Sequence, residues 1–345
     1  MNYLALVVAF VASILLTPLV KRLAYRIGAV DKPNYRKVHD HVMPRLGGLA
    51  IFLAFLIGVV VARPMDESMI AILIGSFVII VTGVLDDMFE ISPKTKLFGQ
   101  TIAAAIVIFF GDVRIDSINL PFDGKLDFGY LSIPLTLIWI IGITNAINLI
   151  DGLDGLAAGV STISLLTLAA MALTMGNVFV LAMALILAAS TAGFLFYNFH
   201  PAKIFMGDTG ALFLGFMISV LALLGFKNVT FVSLVIPIIM LGVPISDTFF
   251  AIVRRLLNKQ PPFSPDKSHL HHRLMSIGFT HRQTVLIIYG IAAMFGLAAI
   301  IFTMAKLWGA ILLITVILIS IELFVEVIGL AGQNYRPLLN LVRKK

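Results

Sequence analysis

Residues 69–96 read "MIAILIGSFVIIVTGVLDDMFEISPKTK". From Met69 to Leu85 there is no charge, and then two carboxylates, Asp86 and Asp87, follow one another. The uncharged part falls in the range of roughly 17–25 residues that a helix needs to cross a hydrocarbon core about 30 Å thick. Lipid offers the backbone no hydrogen-bond partner, so such a run is a helix or part of a closed barrel. Barrel strands alternate apolar and polar residues over about ten positions, and this run does not alternate. A helix is the reading.

Comparable runs recur along the 345 residues, 60% of which are hydrophobic and 12% charged. Soluble domains carry about 25% charge. The pattern predicts an all-α polytopic membrane protein, organised as a single integral-membrane domain over residues 1–345. About eleven spans are expected, near 3–20, 47–62, 69–85, 97–110, 131–147, 156–175, 177–196, 209–226, 229–252, 284–305 and 307–329. The first run has the length of a signal peptide but lacks a basic leading region and a small-residue cleavage site, so it reads as a retained helix. The chain has no cysteine, which excludes disulfides, thiolate nucleophiles and cysteine-based metal sites.

Basic residues set the expected orientation. All but Arg63, Arg114, Lys125, Lys227 and Lys306 of the 25 Lys and Arg fall in one set of connections and in the tail. That set is predicted to be cytoplasmic, with the N-terminus outside and the C-terminus inside. All seven histidines lie on the same side. The net charge of +7 fits this rule and attraction to anionic lipid; it is no sign of nucleic acid. Residues 111–129 alternate about a turn at Asp123-Gly124, which predicts a small extracytoplasmic β-hairpin acting as a structural cover.

Polar groups are costly in such a chain, so their places are informative. Adjacent Asp86 and Asp87 either end a span or share a proton or a cation. In "NAINLIDGLDGLAAG" (145–159), Asn145, Asn148, Asp151 and Asp154 recur every third residue. They fall near one helical face and predict a wet, protein-walled cavity; the plainer reading is polar glue between packed helices. In "YNFHPAKIFMGDTGALFLG" (197–215), Asp208 stands where a helix begins. It is either an N-cap or the holder of a cation that in turn holds phosphate. In "SPDKSHLHHRLMSIGFTHRQ" (264–283), His269, His271, His272 and Arg273 crowd one short segment. That arrangement suits phosphate and sugar hydroxyls better than tetrahedral zinc, unless it is only a solvated basic loop. Oxygen donors without cysteine point to magnesium or manganese. Together these segments meet the needs of phosphoryl transfer between a nucleotide and a lipid. The ninth span carries Pro237, Gly242, Pro244 and Asp247 and is expected to bend or break, either bordering a lipid groove or as a packing kink.

In order along the chain, "DKPNYRKVHDHVMPRLGG", "GVLDD", "NAINLIDGLDGLAAG", "FMGDTG" and "HLHHRL" resemble the polyprenyl-phosphate N-acetylhexosamine-1-phosphate transferases, the family of MraY, WecA and TagO. The sequence His269-Leu270-His271-His272-Arg273 is closer to the WecA/TagO branch than to the three-histidine run of the MraY branch. The resemblance implies transfer of N-acetylglucosamine-1-phosphate from UDP-N-acetylglucosamine to undecaprenyl phosphate, with release of UMP. That would be the first lipid-linked step of a teichoic-acid or O-antigen type glycan, at the cytoplasmic face of the plasma membrane. It implies Asp86 and Asp87 as catalytic residues beside the lipid phosphate, and Mg2+, with Mn2+ as a substitute, on Asp208 and Asn148. It further implies substrate contacts from Lys96, Asp151, Asp154, Asn198, Phe205, His269, His271, His272, Arg273 and, at the rim, Arg45. Membrane lipid is a partner and a homodimer is left open. The rivals are a transferase for another UDP-N-acetylhexosamine and a secondary transporter. The latter usually shows inverted repeats and a site near the midplane; neither is evident here.

Overall fold

The computed structural model describes residues 3–31, 42–119, 124–225, 231–257, 259, 269–305, 307–330, 335 and 337–343. The elements are α1 (Tyr3–Ile27), β1 (Val30–Asp31), β2 (Met43–Pro44), α2 (Gly47–Ala62), α3 (Met69–Phe89), α4 (Pro93–Phe110), β3 (Ser117–Asn119), β4 (Lys125–Asp127), α5 (Ser132–Leu149), α6 (Leu156–Thr174), α7 (Val178–Asn198), α8 (Gly207–Gly225), α9 (Phe231–Met240), α10 (Gly242–Leu257), α11 (Leu270–Ser276), α12 (His281–Met304), α13 (Leu307–Ile328) and α14 (Pro337–Arg343). Among the described residues, eight helices are long and apolar enough to cross a membrane. They are α1, α3, α5 (with its leading turn), α6, α7, α8, α12 and α13; α2 is a shorter apolar helix.

Several span hydroxyls are satisfied within their own helix, as a lipid surrounding favours. Hydroxyls of Thr17, Thr144, Ser190 and Thr191 donate to the carbonyl four residues earlier, at 2.6–2.8 Å. Helix α8 is central: 89% of its membrane window lies inside the protein, against 11% for α13. It packs on α3 and α5 and touches α2, α6 and α7. Phe213 of α8 meets Phe52 and Phe55 of α2 edge to face, at 5.3 and 5.8 Å between ring centres. Trp139 of α5 donates its indole N–H to the Ser219 carbonyl at 3.1 Å.

The expected ninth span is two helices, α9 and α10, meeting at Leu241. Pro237 lies inside α9, and Pro244 sits in the first turn of α10, where a missing N–H costs nothing. Hydrogen bonds from Leu241 N–H to Pro237 O and from Ile245 N–H to Leu241 O, both 3.0 Å, carry across the junction. Strands β3 and β4 pair antiparallel with Ile118 opposite Leu126; Asp123 of the expected turn lies outside the described residues. The C-terminal ends of α3, α5 and α7 and the N-terminal starts of α2, α4, α6 and α8 converge on one end of the bundle, as the contacts below show.

Candidate active site

At that end α3 stops at Glu90, whose backbone takes the left-handed conformation (φ 49°) and donates its N–H to Asp86 O at 2.8 Å. Ser92 then caps α4 through Thr95 N–H at 3.2 Å, with Pro93 as the first helical residue. This tight reversal folds Lys96 back on α3. Its ammonium lies 2.7 Å from Asp86 Oδ2 and 2.5 Å from Asp208 Oδ2 at the start of α8. Asn148, at the end of α5, donates its amide to the other oxygen of Asp208 at 2.6 Å. Residues of four helices therefore meet, with Lys96 bridging Asp86 and Asp208 and Asn148 holding the second oxygen of Asp208.

Asp87 does something different. Its buried carboxylate accepts the main-chain N–H groups of Asp208 and Thr209 at 3.0 Å each, and the Thr209 hydroxyl at 2.6 Å. It caps α8 from another helix and meets the positive end of that helix's dipole. The approach requires a glycine just before. Gly207 has φ +72°, and a Cβ there would stand 2.5 Å from Asp87 Oδ2 and 2.4 Å from Arg45 O. The loop ahead of α8 is also stapled to the loop ahead of α2. Phe205 N–H donates to Pro44 O (2.8 Å), Gly47 N–H to Phe205 O (3.0 Å) and Gly48 N–H to Met206 O (2.8 Å). Arg45, in that second loop, donates to the Asp87 carbonyl at 3.0 Å and pairs with Glu90 at 3.3 Å.

Beside these groups opens a cavity of about 380 Å³ whose wall includes Arg45, Asp87, Asp151, Asn198, Phe205 and Asp208. Asp31, Asp154, Met206 and His272 also line it. Asp151 and Asp154 stand in the turn between α5 and α6. Burial, followed by the charges of Asp208, Asp87 and Asp154, pushes Asp151 up to about 8. Buried Asn198 donates to Ile204 O at 3.0 Å and so shapes the loop that carries Phe205.

The histidine segment folds as α11 against this wall. His269 Nδ1 faces Asp247 Oδ2 of α10 at 2.9 Å, and Leu270 N–H donates to Asp247 Oδ1 at 2.8 Å. Asp247 therefore caps α11 and orients His269 at once. His271 packs on Gly152, where a Cβ would stand 2.4 Å from its Nε2. Burial and then the neighbouring His272 lower His271 to about 3, so its ring is neutral at pH 7.

Of the residues picked from sequence, Arg45, Asp87, Asp151, Asp154, Asn198, Phe205, Asp208 and His272 line one cavity. Asp86, Lys96 and Asn148 join it through Asp208. His269 turns instead to Asp247, His271 is buried on Gly152, and Arg273 is outside the cavity lining. Asp31, Thr209 and Asp247 were not picked out as site residues. Asp31 lies inside a quoted motif, whereas Thr209 looks like an ordinary helix residue. Asp247 had shown only as a charge in an apolar run. The carboxylates of Asp86 and Asp208 suit a hard divalent cation; Asn148 now turns its NH2 to Asp208 and would offer its amide oxygen to an ion only with the amide reversed.

A family model described as Glycosyl transferase family 4 matches residues 69–226. The chain is 52% identical over 346 residues to the probable undecaprenyl-phosphate N-acetylglucosaminyl 1-phosphate transferase of Bacillus subtilis (strain 168), covering 98% of this chain and 96% of that protein. It is 35% identical to the decaprenyl-phosphate N-acetylglucosaminephosphotransferase of Mycobacterium tuberculosis (strain CDC 1551 / Oshkosh), over 92% of this chain and 87% of that one. A third relative is the undecaprenyl-phosphate alpha-N-acetylglucosaminyl 1-phosphate transferase of Salmonella typhi, 30% identical over 78% of this chain and 75% of its own.

Proposed function

This chain belongs to the polyprenyl-phosphate N-acetylhexosamine-1-phosphate transferases, and on that premise we propose that it moves N-acetylglucosamine-1-phosphate from UDP-N-acetylglucosamine to undecaprenyl phosphate and releases UMP. The observation that carries the reading is the meeting of Asp86, Lys96, Asn148 and Asp208 beside a polar cavity at one end of an apolar bundle. A lipid phosphate comes from the bilayer and a nucleotide from water, and only the membrane surface serves both. The excess of Lys and Arg in the connections on that side supports placing it at the cytoplasmic face of the plasma membrane.

In the reaction an oxygen of the lipid phosphate attacks the β-phosphorus of the donor. A new O–P bond forms as the bond to UMP breaks, and UMP departs with the electron pair. Asp86, lying against Lys96, orients the attacking phosphate and takes any proton it still carries. Asp87 is held by three donors from α8 and acts as a positioning residue, fixing Asp208. The Lys96 ammonium turns to the diphosphate, and Asn198, Phe205 and Asp154 wall the nucleoside. When bound, a magnesium ion held by Asp208 and Asn148 supplies positive charge beside the diphosphate; manganese serves as a substitute. The bend between α9 and α10 borders the path of the isoprenoid tail.

The test is UMP release by purified protein in detergent, given UDP-N-acetylglucosamine, undecaprenyl phosphate and Mg2+. Turnover with this donor, exceeding that with UDP-N-acetylgalactosamine, is the expected result. Turnover only with another UDP-sugar would replace the donor, and none with any of a panel would end the proposal. Incubation with donor alone should leave Asp86 and Asp87 unmodified; a phosphorylated aspartate would establish a double displacement.

A further inference from the structure

A second cluster shares Asp154 with the cavity wall and adds two histidines, His200 and His281, that the chemistry above does not use. Asp154 stands before α6, His200 just beyond α7, and His281 begins α12. One ligand atom from each lies within 4.8 Å of the other two. His200 Nδ1 faces Asp154 Oδ2 at 2.8 Å, and the same oxygen accepts Ala202 N–H at 3.1 Å. His281 Nε2 accepts the main-chain N–H of Asp154 at 3.0 Å. The two imidazoles lie against each other with ring centres 4.2 Å apart.

Two features of this arrangement suit a metal. First, His281 Nε2 accepts the Asp154 N–H and so carries no proton, which leaves its lone pair for a metal once that hydrogen bond is given up. Second, two imidazoles and one carboxylate form the ligand set of borderline divalent ions such as Zn2+ and Co2+, which keep a fourth position for water. Magnesium prefers oxygen donors, so the two clusters differ in kind. We propose that Asp154, His200 and His281 form a transition-metal site for Zn2+ or a similar ion, separate from the oxygen-donor cluster around Asp208. An incoming ion replaces the proton between His200 and Asp154, which leaves to solvent, and His281 Nε2 exchanges its N–H partner for the metal. The three ligands sit on three segments, so occupancy ties the start of α12 and the end of α7 to the turn that walls the cavity.

The experiment uses full-length protein without a polyhistidine tag, purified in detergent and titrated with Co2+ in the presence of excess Mg2+. One equivalent should develop the visible absorption of four-coordinate cobalt, and Zn2+ should bleach it and raise the melting temperature. His200→Asn, His281→Asn and Asp154→Asn should each weaken Co2+ binding by about tenfold or more, whereas Asp208→Asn and His272→Asn should not. The His200 side chain is 39% exposed, so His200→Asn is the variant surest to fold. No four-coordinate band in the wild type would overturn the proposal. So would a band that survives both His200→Asn and His281→Asn, or one lost with His272→Asn, which would move the site to α11.

Discussion

The main-chain N–H of Asp208 points at Asp87 Oδ1 from 3.0 Å, although 121 residues separate the two in sequence. With Thr209 N–H and the Thr209 hydroxyl on the other oxygen, Asp87 closes the first turn of the most buried helix in the bundle. The adjacent aspartates thus divide their work. Asp86 meets Lys96 at the working surface, and Asp87 faces inward to hold Asp208 in place.

Alanine at the two positions should therefore fail in different ways. Asp87→Ala strands buried donors at the start of α8, at about 1–3 kcal/mol for each unsatisfied group. It should lower the melting temperature in detergent by several degrees and abolish turnover. Asp86→Ala should melt within a degree or two of wild type yet lose about 10²–10⁴-fold in kcat, the range for a group that handles a proton or orients a nucleophile. Equal melting temperatures for the two variants would cancel the division.

The bundle and its polar end were legible because lipid makes every charge in a span conspicuous. Asp86, Asp87, Asn148 and Asp208 stand out against apolar runs; three-residue spacing predicts Asn148, Asp151 and Asp154 on one helical face, but α5 ends at Leu149 and the two aspartates stand in the turn before α6. The break at Leu241 was legible as well, from Pro237 and Pro244. What sequence could not give is pairing at a distance. Nothing local to Thr209 says that its hydroxyl meets Asp87, and nothing near Asp247 says that it reaches His269 across 22 residues. In sequence, His269, His271, His272 and Arg273 crowd one segment and read as one group suited to phosphate and sugar hydroxyls. Folding as α11 gives each ring a different neighbour.

Lys96 is the cation between Asp86 and Asp208, so Lys96→Met should have two opposed effects. Without the ammonium, donor binding loses a partner for the diphosphate, and the donor KM should rise about tenfold or more. The same two carboxylates, no longer neutralised, should bind Mn2+ more tightly when no donor is present. Steady-state kinetics and Mn2+ titration followed by electron paramagnetic resonance read the two effects separately. Weaker Mn2+ binding in the variant would show that Lys96 supports the metal site instead of competing for it.

Asp151, held up at about 8 mainly by burial, is neutral at pH 7 and ionises above that value. Its ionisation adds a negative charge to the wall of the cavity proposed to take the diphosphate. Donor affinity should therefore fall as pH rises through about 8, and Asp151→Asn should remove that decline while keeping affinity at pH 7. The sign for stability is the same. The folded chain keeps a proton that the unfolded chain releases above 3.8, so this group's contribution declines from there up to about 8. UMP affinity measured by calorimetry from pH 6.5 to 9 decides the matter; parallel curves for the variant and the wild type would remove Asp151 from the pH response.

Asp247 offers the sharpest separation between holding a helix and setting a tautomer. Both of its oxygens are used, one on Leu270 N–H at 2.8 Å and the other toward His269 Nδ1 at 2.9 Å, and it is 2% exposed. In Asp247→Asn the amide oxygen can keep Leu270 N–H, but its NH2 then faces His269, whose Nδ1 must give up its proton and accept. Helix α11 stays anchored while the ring switches tautomer. Asp247→Ala removes both acceptors and loosens α11, and with it His271 on Gly152 and His272 at the cavity wall. Hydrogen exchange at the Leu270 amide should accelerate strongly in the alanine variant and little in the asparagine one. Donor affinity should drop about tenfold or more in the alanine variant and change little in the asparagine variant. If activity nevertheless falls in Asp247→Asn with Leu270 still protected, the His269 tautomer itself matters to turnover. If both variants keep wild-type exchange and affinity, α11 is held by its apolar contacts, Leu270 and Leu274, and not by Asp247.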